Sequence, residues 1–142
     1  VPDESYEIPF GRARVARSGT DMTLVTYGGM VPVCLRAARA SSAGGVSVEV
    51  IDLRTIYPWD IDTVSNSVRR TGKLLVVQEP QRTGGIGAEI VADIAERCGY
   101  DLIAPPRRLA ATDAPWPQFA IERHALITDE MVASEIEVLA RE

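Results

Sequence analysis

Buried strands and amphipathic helices alternate along the chain. Apolar and β-branched residues dominate three short runs, which predict buried strands: Met22–Tyr27, Val46–Leu53 and Leu74–Val77. Apolar residues recur at helical spacing after each run, which predicts helices around Val31–Ala38, Ile61–Val68 and Ile90–Cys98. Glycines or small residues stop each helix, and Asp60 is placed to cap the second one. This alternation predicts an α/β domain with helices on both faces of a mainly parallel sheet.

The two ends of the chain differ from this pattern. Residues 1–10 are polar, include two prolines and lack a period, so we predict a linker from an upstream domain, with the folded domain over 11–142. Arg12–Arg17 alternates charged and apolar residues, which predicts an edge strand with one exposed face. Towards the other end we predict a short strand at 107–112, a proline-stiffened loop at 113–119 and a last helix at about 128–140.

The composition excludes several classes of protein. The chain has 142 residues, 46% of them hydrophobic, which suffices for one globular domain without a metal or disulfide. With 15 basic and 20 acidic residues, its net charge of -5 leaves no cationic surplus for nucleic acid or an anionic membrane. No targeting peptide or membrane-spanning run is visible, so we expect a cytoplasmic protein of a bacterium. Cys34 and Cys98 are expected to be buried.

The predicted sheet edge carries no recognisable set of catalytic residues. Ligands in open α/β sheets bind where strands end, which here brings together Gly28–Gly29, Arg54–Thr55 and Gln78–Glu79. These residues supply neither a nucleophile beside a base nor a metal cluster, and His124, the only histidine, lies in the last connection. The glycines of 84–87 match neither a dinucleotide nor a Walker A pattern, which favours a structural turn. We therefore predict no catalytic, cofactor-binding or metal-binding residue.

The last helix has one apolar and one charged stripe. Val132, Ile136 and Leu139 fall on one side at helical spacing, and the other side carries Glu130, Ser134, Glu137 and Arg141. Residues 122–142 contain six acidic and two basic residues, and therefore hold -4 of the net charge of -5. Two interpretations stay open, a solvated helix face or an acidic surface that binds a basic partner.

Several segments together resemble one protein family. They are Tyr6–Ala13 with Asp21–Gly28, Glu49–Thr55 with Pro58–Asp60, Gln78–Pro80 with Thr83–Ile90, and Asp113–Pro117. Their order and spacing resemble the C-terminal domain of the β subunit of thiamine-diphosphate-dependent 2-oxo acid dehydrogenases, within the transketolase C-terminal domain superfamily. The resemblance covers nearly the whole chain. It implies a three-layer α/β/α fold with a five-stranded, mostly parallel sheet whose first strand is antiparallel at the edge.

The resemblance also implies a function in assembly. In this family thiamine diphosphate and magnesium lie between two other domains, so the fragment alone would be inactive. The parent oxidoreductase would oxidatively decarboxylate a branched-chain 2-oxo acid or pyruvate and transfer the acyl group to lipoyl groups of a multienzyme complex. The stretches Asp52–Thr55 and Thr83–Gly85 slightly favour the branched-chain type.

Three partners follow from the resemblance. An α subunit and a second β subunit would form an α2β2 heterotetramer, and the dihydrolipoyl acyltransferase core would bind the acidic helix through Asp129, Glu130 and Glu137. The loop residues Trp116, Pro117 and Phe119 become candidates for subunit packing.

Two other classes of protein stay open. The homologous C-terminal domain of transketolase or of deoxyxylulose-phosphate synthase would belong to an enzyme of sugar phosphates, although the Asp113–Pro117 motif argues against it. A free-standing flavodoxin-like binding module would also account for the alternating strands and helices.

Overall fold

The computed structural model describes residues 3–142, so Val1 and Pro2 of the predicted linker lie outside the described residues. Five strands, four α-helices and one 3-10 helix follow one another along the chain. Their order is β1 Arg14–Arg17, β2 Met22–Thr26, α1 Met30–Ala43, β3 Val48–Asp52, α2 Ile61–Thr71, β4 Leu74–Gln81, α3 Gly87–Cys98, β5 Arg107–Ala111, the 3-10 helix Phe119–His124 and α4 Asp129–Arg141.

One five-stranded sheet runs through the domain in the order β1-β3-β2-β4-β5. The pairs β2–β3, β2–β4 and β4–β5 are parallel, and β1 pairs antiparallel with β3 at the edge. The predicted fold class is therefore confirmed. The charged alternation of β1 fits its edge position, because a strand with one exposed face tolerates arginines there.

Two apolar cores lie on opposite faces of the sheet. Helices α1 and α4 pack on one face with Leu24 and Val50 of the strands, whereas α2 and α3 pack on the other with Val25 and Ile51. Neighbouring residues of a strand point to opposite faces, so each buried strand supplies both cores. Fully burying a side chain such as Ile136, which is 0% exposed, contributes about 1.5–3 kcal/mol.

Local sequence signals set the ends of the helices. The Asp60 carboxylate accepts a hydrogen bond from the backbone N–H of Thr63 at 3.1 Å, which caps α2 as predicted. Gly72 ends the same helix in the left-handed conformation at φ 69°, which glycine adopts without steric cost. The Thr128 hydroxyl caps α4 by accepting from the N–H of Met131. Within the described residues, no helix combines the length and apolar character needed to cross a membrane.

Two elements differ from the sequence prediction. Strand β4 continues past Val77 to Gln81, because pairing with β5 resumes at Gln81 and Ala111 after an irregularity in register. The connection after β5 contains the 3-10 helix Phe119–His124, which the sequence did not predict because the segment has no repeating apolar pattern. Both differences lie at the border of the same cleft, described below.

Candidate functional site

The ends of the central strands place small and charged residues along one edge of the sheet. Gly28 and Gly29 follow β2, and Glu79 lies in β4 beside them. A Cβ atom on Gly29 would lie 3.7 Å from Oε2 of Glu79. Burial, followed by the negative charge of Glu79, raises the pKa of the Tyr27 hydroxyl. Arg54 follows β3 and adopts the left-handed backbone conformation, with φ at 58°. Its backbone N–H donates to Oδ1 of Asp52 at 3.1 Å.

The buried amide of Gln78 organises the glycine-rich turn that precedes α3. Its Oε1 accepts the backbone N–H of Gly87 at 2.7 Å, and its Nε2 donates to the carbonyl of Gln81 at 2.9 Å. A Cβ on Gly85 would collide with this amide, and a Cβ on Gly87 would lie 2.7 Å from Oε1. Only glycines fit around Gln78, so the turn has the structural role that the sequence favours.

Asp113 ties the same turn to the end of β5. Its carboxylate accepts from the N–H of Thr83 at 2.9 Å and from the Thr83 hydroxyl at 2.6 Å. These hydrogen bonds hold the pKa of Asp113 below its ordinary value. Asp113 therefore fixes the loop.

A cleft of about 640 Å³ opens between this edge and the segment after β5. Its walls are mainly apolar and include Pro80, Ala111, Pro115, Trp116 and Ile121, with Glu79 and His124 among its polar groups. Trp116 remains 46% exposed and Phe119, at the outer side, 93% exposed. The structure thus brings the predicted packing residues Trp116, Pro117 and Phe119 to one surface. The sequence did not predict a cleft. The aromatic, proline-rich stretch was the only sequence feature that pointed to this part of the molecule.

Thiamine diphosphate and its metal ion do not fit the residues that are present. Over residues 3–142, no group of three or more His, Cys, Asp and Glu side chains is arranged to hold a metal ion. The N–H of Gly87 at the start of α3, a place where a phosphate could bind, already donates to Gln78. Cys34 and Cys98 are both buried, and burial raises the pKa of the Cys34 thiol to about 12. We therefore derive no chemical step on that cofactor from this domain.

The exposed face of α4 carries fewer free charges than its sequence indicates. Asp129 accepts from Nε of Arg36 at 2.9 Å, and the Arg36 guanidinium holds the pKa of Asp129 below its ordinary value. Glu137 lies 3.5 Å from Arg141 one turn later, although both side chains are well exposed. Glu130 is exposed and makes no ion pair within the described part of the chain. The three predicted docking residues share one helix, and Glu130 has the least compensated charge.

Comparisons with known proteins assign the chain to one protein family. Residues 11–132 match the family model described as transketolase, C-terminal domain. Over 117 residues the chain is 50% identical to the pyruvate dehydrogenase E1 component subunit beta of Staphylococcus epidermidis (strain ATCC 12228 / FDA PCI 1200) and 48% identical to that of Staphylococcus aureus (strain N315). Each alignment covers 82% of this chain and 36% of the relative, so the chain spans about a third of the length of these curated relatives. The resemblance to a 2-oxo acid dehydrogenase β subunit is confirmed.

Solved structures support the same fold. A protein described as split gene transketolase, inactive beta4 tetramer, superposes with a TM-score of 0.80 at 25% identity, over 99% of this chain and 44% of the other. A 2-oxoglutarate:ferredoxin oxidoreductase from Magnetococcus marinus superposes with a TM-score of 0.58 at 12% identity, over 91% of this chain and 19% of the other. The second similarity concerns the fold alone.

Proposed function

Because the chain belongs to the transketolase C-terminal domain family, we propose that it is the C-terminal domain of the β subunit of a pyruvate dehydrogenase E1 component. The observation that carries the proposal is the 50% identity to such a subunit over 117 residues. Residues 1–10 are then the linker from a preceding domain, and residues 11–142 form the domain. The backbone N–H of Gly11 donates to Oγ1 of Thr55 at 3.2 Å, which fits a boundary at this point.

The parent enzyme would oxidatively decarboxylate pyruvate and transfer the acetyl group to lipoyl groups. This replaces the branched-chain substrate that Asp52–Thr55 and Thr83–Gly85 slightly favoured, because the relatives described above are pyruvate dehydrogenase subunits. Those two stretches serve the structure: Asp52 accepts from the N–H of Arg54, and Thr83 donates to Asp113.

Within that enzyme the domain contributes to assembly. Thiamine diphosphate and magnesium would be bound by other domains, where they supply the carbanion chemistry of decarboxylation. An α subunit and a second β subunit would complete an α2β2 heterotetramer, with Trp116, Pro117 and Phe119 as packing residues. The name of the relatives, subunit beta, supports a multisubunit enzyme, and a bacterial cytoplasm is its proposed location.

The sugar-phosphate alternative has weaker support. The structural similarity to split gene transketolase comes with 25% identity, half that of the pyruvate dehydrogenase subunit. A free-standing flavodoxin-like module would account neither for the identity to the pyruvate dehydrogenase subunit nor for the structural similarity to split gene transketolase.

The exposed face of α4 is the proposed docking surface for the acyltransferase core. Asp129, Glu130 and Glu137 lie on this helix, whose opposite side is anchored by Val132, Ile136 and Leu139, each 0% exposed. Anchoring keeps the acidic side chains at fixed positions, so that a basic binding domain meets a defined surface. Arg36 holds Asp129 in place, and Glu130 supplies the charge that is free to pair.

Reversing the charges of this face tests the docking. We expect Glu130→Lys with Glu137→Lys to weaken binding of the complex's own acyltransferase subunit-binding domain by about tenfold or more at low salt, and much less at high salt. Titration calorimetry at two salt concentrations measures the effect.

The matched control is Glu89→Lys with Glu96→Lys, which changes the net charge equally on the exposed side of α3. Equal affinities of the two double variants at low salt would exclude α4 as the docking surface.

A further inference from the structure

A groove of about 440 Å³ lies between α1 and α4. Residues from the last turns of both helices line it, and most of them have small side chains, so a channel stays open between the helices. A long aliphatic chain suits such a channel, because methyl groups and backbone form its sides. Its apolar wall consists of Ala40, Gly44, Val46, Ala133 and Ala140.

The electrostatics of this groove favour a cation. The last carbonyls of a helix carry partial negative charge, and the groove lies beside the last turns of both helices. At the end of α4, Nζ of Lys73 compensates that charge by donating to the carbonyls of Leu139 and Ala140 at 3.0 Å each. The last turn of α1 contains no basic residue. Arg17 donates to the Ser42 hydroxyl at this end, but it does not line the groove. The groove therefore borders a negative helix end that a further cation would stabilise.

Two polar residues of the groove are incompletely satisfied by the domain itself. Ser41 is 8% exposed, and its hydroxyl has no hydrogen-bond partner over residues 3–142. The Glu137 side chain is 64% exposed, and its ion pair in this range is the 3.5 Å contact with Arg141. A pair between side chains this exposed contributes little stability, so another cation could replace Arg141 with little loss. A donor that enters the groove would therefore find a carboxylate and an unsatisfied hydroxyl among its lining residues.

We propose that the groove receives one long basic side chain, lysine or arginine, from the binding domain that docks on α4. Its methylene groups pack against the alanine wall, and its cationic end takes the place of Arg141 beside Glu137 and the end of α1. This inference rests on the proposed function, because it concerns the same docking surface. It adds residues of α1 as direct contacts of the partner, and it makes Arg141 a competitor of the partner's cation.

Filling the groove tests the inference without changing the charge. Ala40 is exposed and lines the groove, so Ala40→Leu occupies the space without altering the core. We expect this variant to bind the acyltransferase subunit-binding domain about tenfold more weakly in titration calorimetry. The control is Ala43→Leu, the same change at an exposed position of α1 outside the groove, which should change the affinity by about twofold or less. Far-ultraviolet circular dichroism checks that both variants are folded.

Removing the competing cation provides a second test, which predicts a gain of affinity. Arg141→Met leaves Glu137 without its partner, so the same binding domain should bind about threefold or more tightly. The control is Arg97→Met, which removes a cation from the 3.9 Å ion pair with Asp62 and so changes the net charge equally. Helix α3, which carries Arg97, packs on the opposite face of the sheet, so this variant should bind like the unchanged chain.

The outcomes separate this inference from the proposed function. If Ala40→Leu binds as tightly as Ala43→Leu while Glu130→Lys with Glu137→Lys still weakens binding, the groove is not a contact and the docking face stands. A loss of affinity in Arg141→Met would also overturn the inference, because it would make Arg141 a contact of the partner and not its competitor. If the unchanged chain does not bind the subunit-binding domain at all, both the proposed docking and the groove are wrong.

Discussion

Single buried polar residues fix the loops around the sheet edge. Asp60 shows this most clearly, since its carboxylate accepts from the N–H of Thr63 at 3.1 Å, from the Thr63 hydroxyl at 2.8 Å and from the N–H of Ala13 at 2.9 Å. The same side chain therefore caps α2 and holds the strand that enters the domain. The capping role could be predicted, because the signal is local. The bond to Ala13 could not, because it joins residues 47 positions apart.

Replacing Asp60 by alanine should destabilise the domain by about 2–3 kcal/mol. The change removes a helix cap and leaves the part-buried N–H of Ala13 without its acceptor. The control is Asp62→Ala in the same first turn, whose side chain is 87% exposed and which should cost about 0.5 kcal/mol or less. Urea unfolding curves of both variants measure the difference. Equal losses of stability would show that Asp60 acts only through the charge of the helix end.

Asp60 should also make stability depend on pH. Burial tends to raise its pKa, but hydrogen bonds from Ala13 and Thr63, and the charge of Arg12, bring the pKa below its ordinary value. A lowered pKa in the folded state contributes stability above the unfolded pKa of about 3.9, and this contribution is lost as the pH falls through the folded value. Unfolding free energies from pH 6 to pH 2 should therefore fall less steeply for Asp60→Asn than for the unchanged chain. Parallel curves would contradict this assignment.

At the scale of elements, the last helix depends on a contact from the middle of the chain. Nζ of Lys73 donates to the carbonyls of Leu139 and Ala140 at 3.0 Å each, where α4 has no later N–H to satisfy them. The cation also lies at the negative end of the helix dipole. Lys73 is the only lysine of the sequence. The periodicity predicted α4 and its buried stripe, but it could not indicate that Lys73, the residue before β4, contacts the end of α4.

Lys73→Met should destabilise the last turn of α4 by about 1–2 kcal/mol, because both carbonyls lose a charged donor. Hydrogen exchange measured by NMR should speed up in the last turn of α4 and remain unchanged in α2. The control Arg141→Met removes a cation from the same helix end, where the side chain is 80% exposed, and should have little effect. Similar exchange rates in the two variants would mean that Lys73 does not hold the helix end.

Local pattern explains why most elements could be predicted and two could not. Strands β2 and β3 and the α-helices are recognisable in the sequence by their hydrophobic pattern and by the residues that begin or end them. The extension of β4 depends on pairing between Gln81 and Ala111 across a register irregularity, and the 3-10 helix has no period of its own. Both line the cleft, so the candidate site was the least predictable part of the molecule.

At the scale of the whole molecule, ion pairs determine where the charges behind the net charge of -5 are compensated. Arg36 pairs with Asp129 at the start of α4, and Arg107 lies between Glu135 in the middle of the helix and Glu142 after its end. Glu130 on the helix and Glu79 at the cleft are among the exposed carboxylates that make no ion pair in the part of the chain that the structure describes. The domain therefore presents two separate surfaces, an acidic one on α4 and an apolar cleft with Glu79 among its polar groups. Two surfaces of this kind fit the assembly role proposed above.

The most direct test of this account is a domain exchange. Residues 11–142 would replace the corresponding domain in the pyruvate dehydrogenase E1 subunit beta of Staphylococcus epidermidis, the 50% identical relative, and the chimera would be produced with that organism's α subunit. Lipoyl acetylation from pyruvate is then measured. We predict that the chimera copurifies with the α subunit and retains activity within about tenfold of the unaltered enzyme. A folded chimera that fails to copurify and to acetylate lipoyl groups would contradict the account.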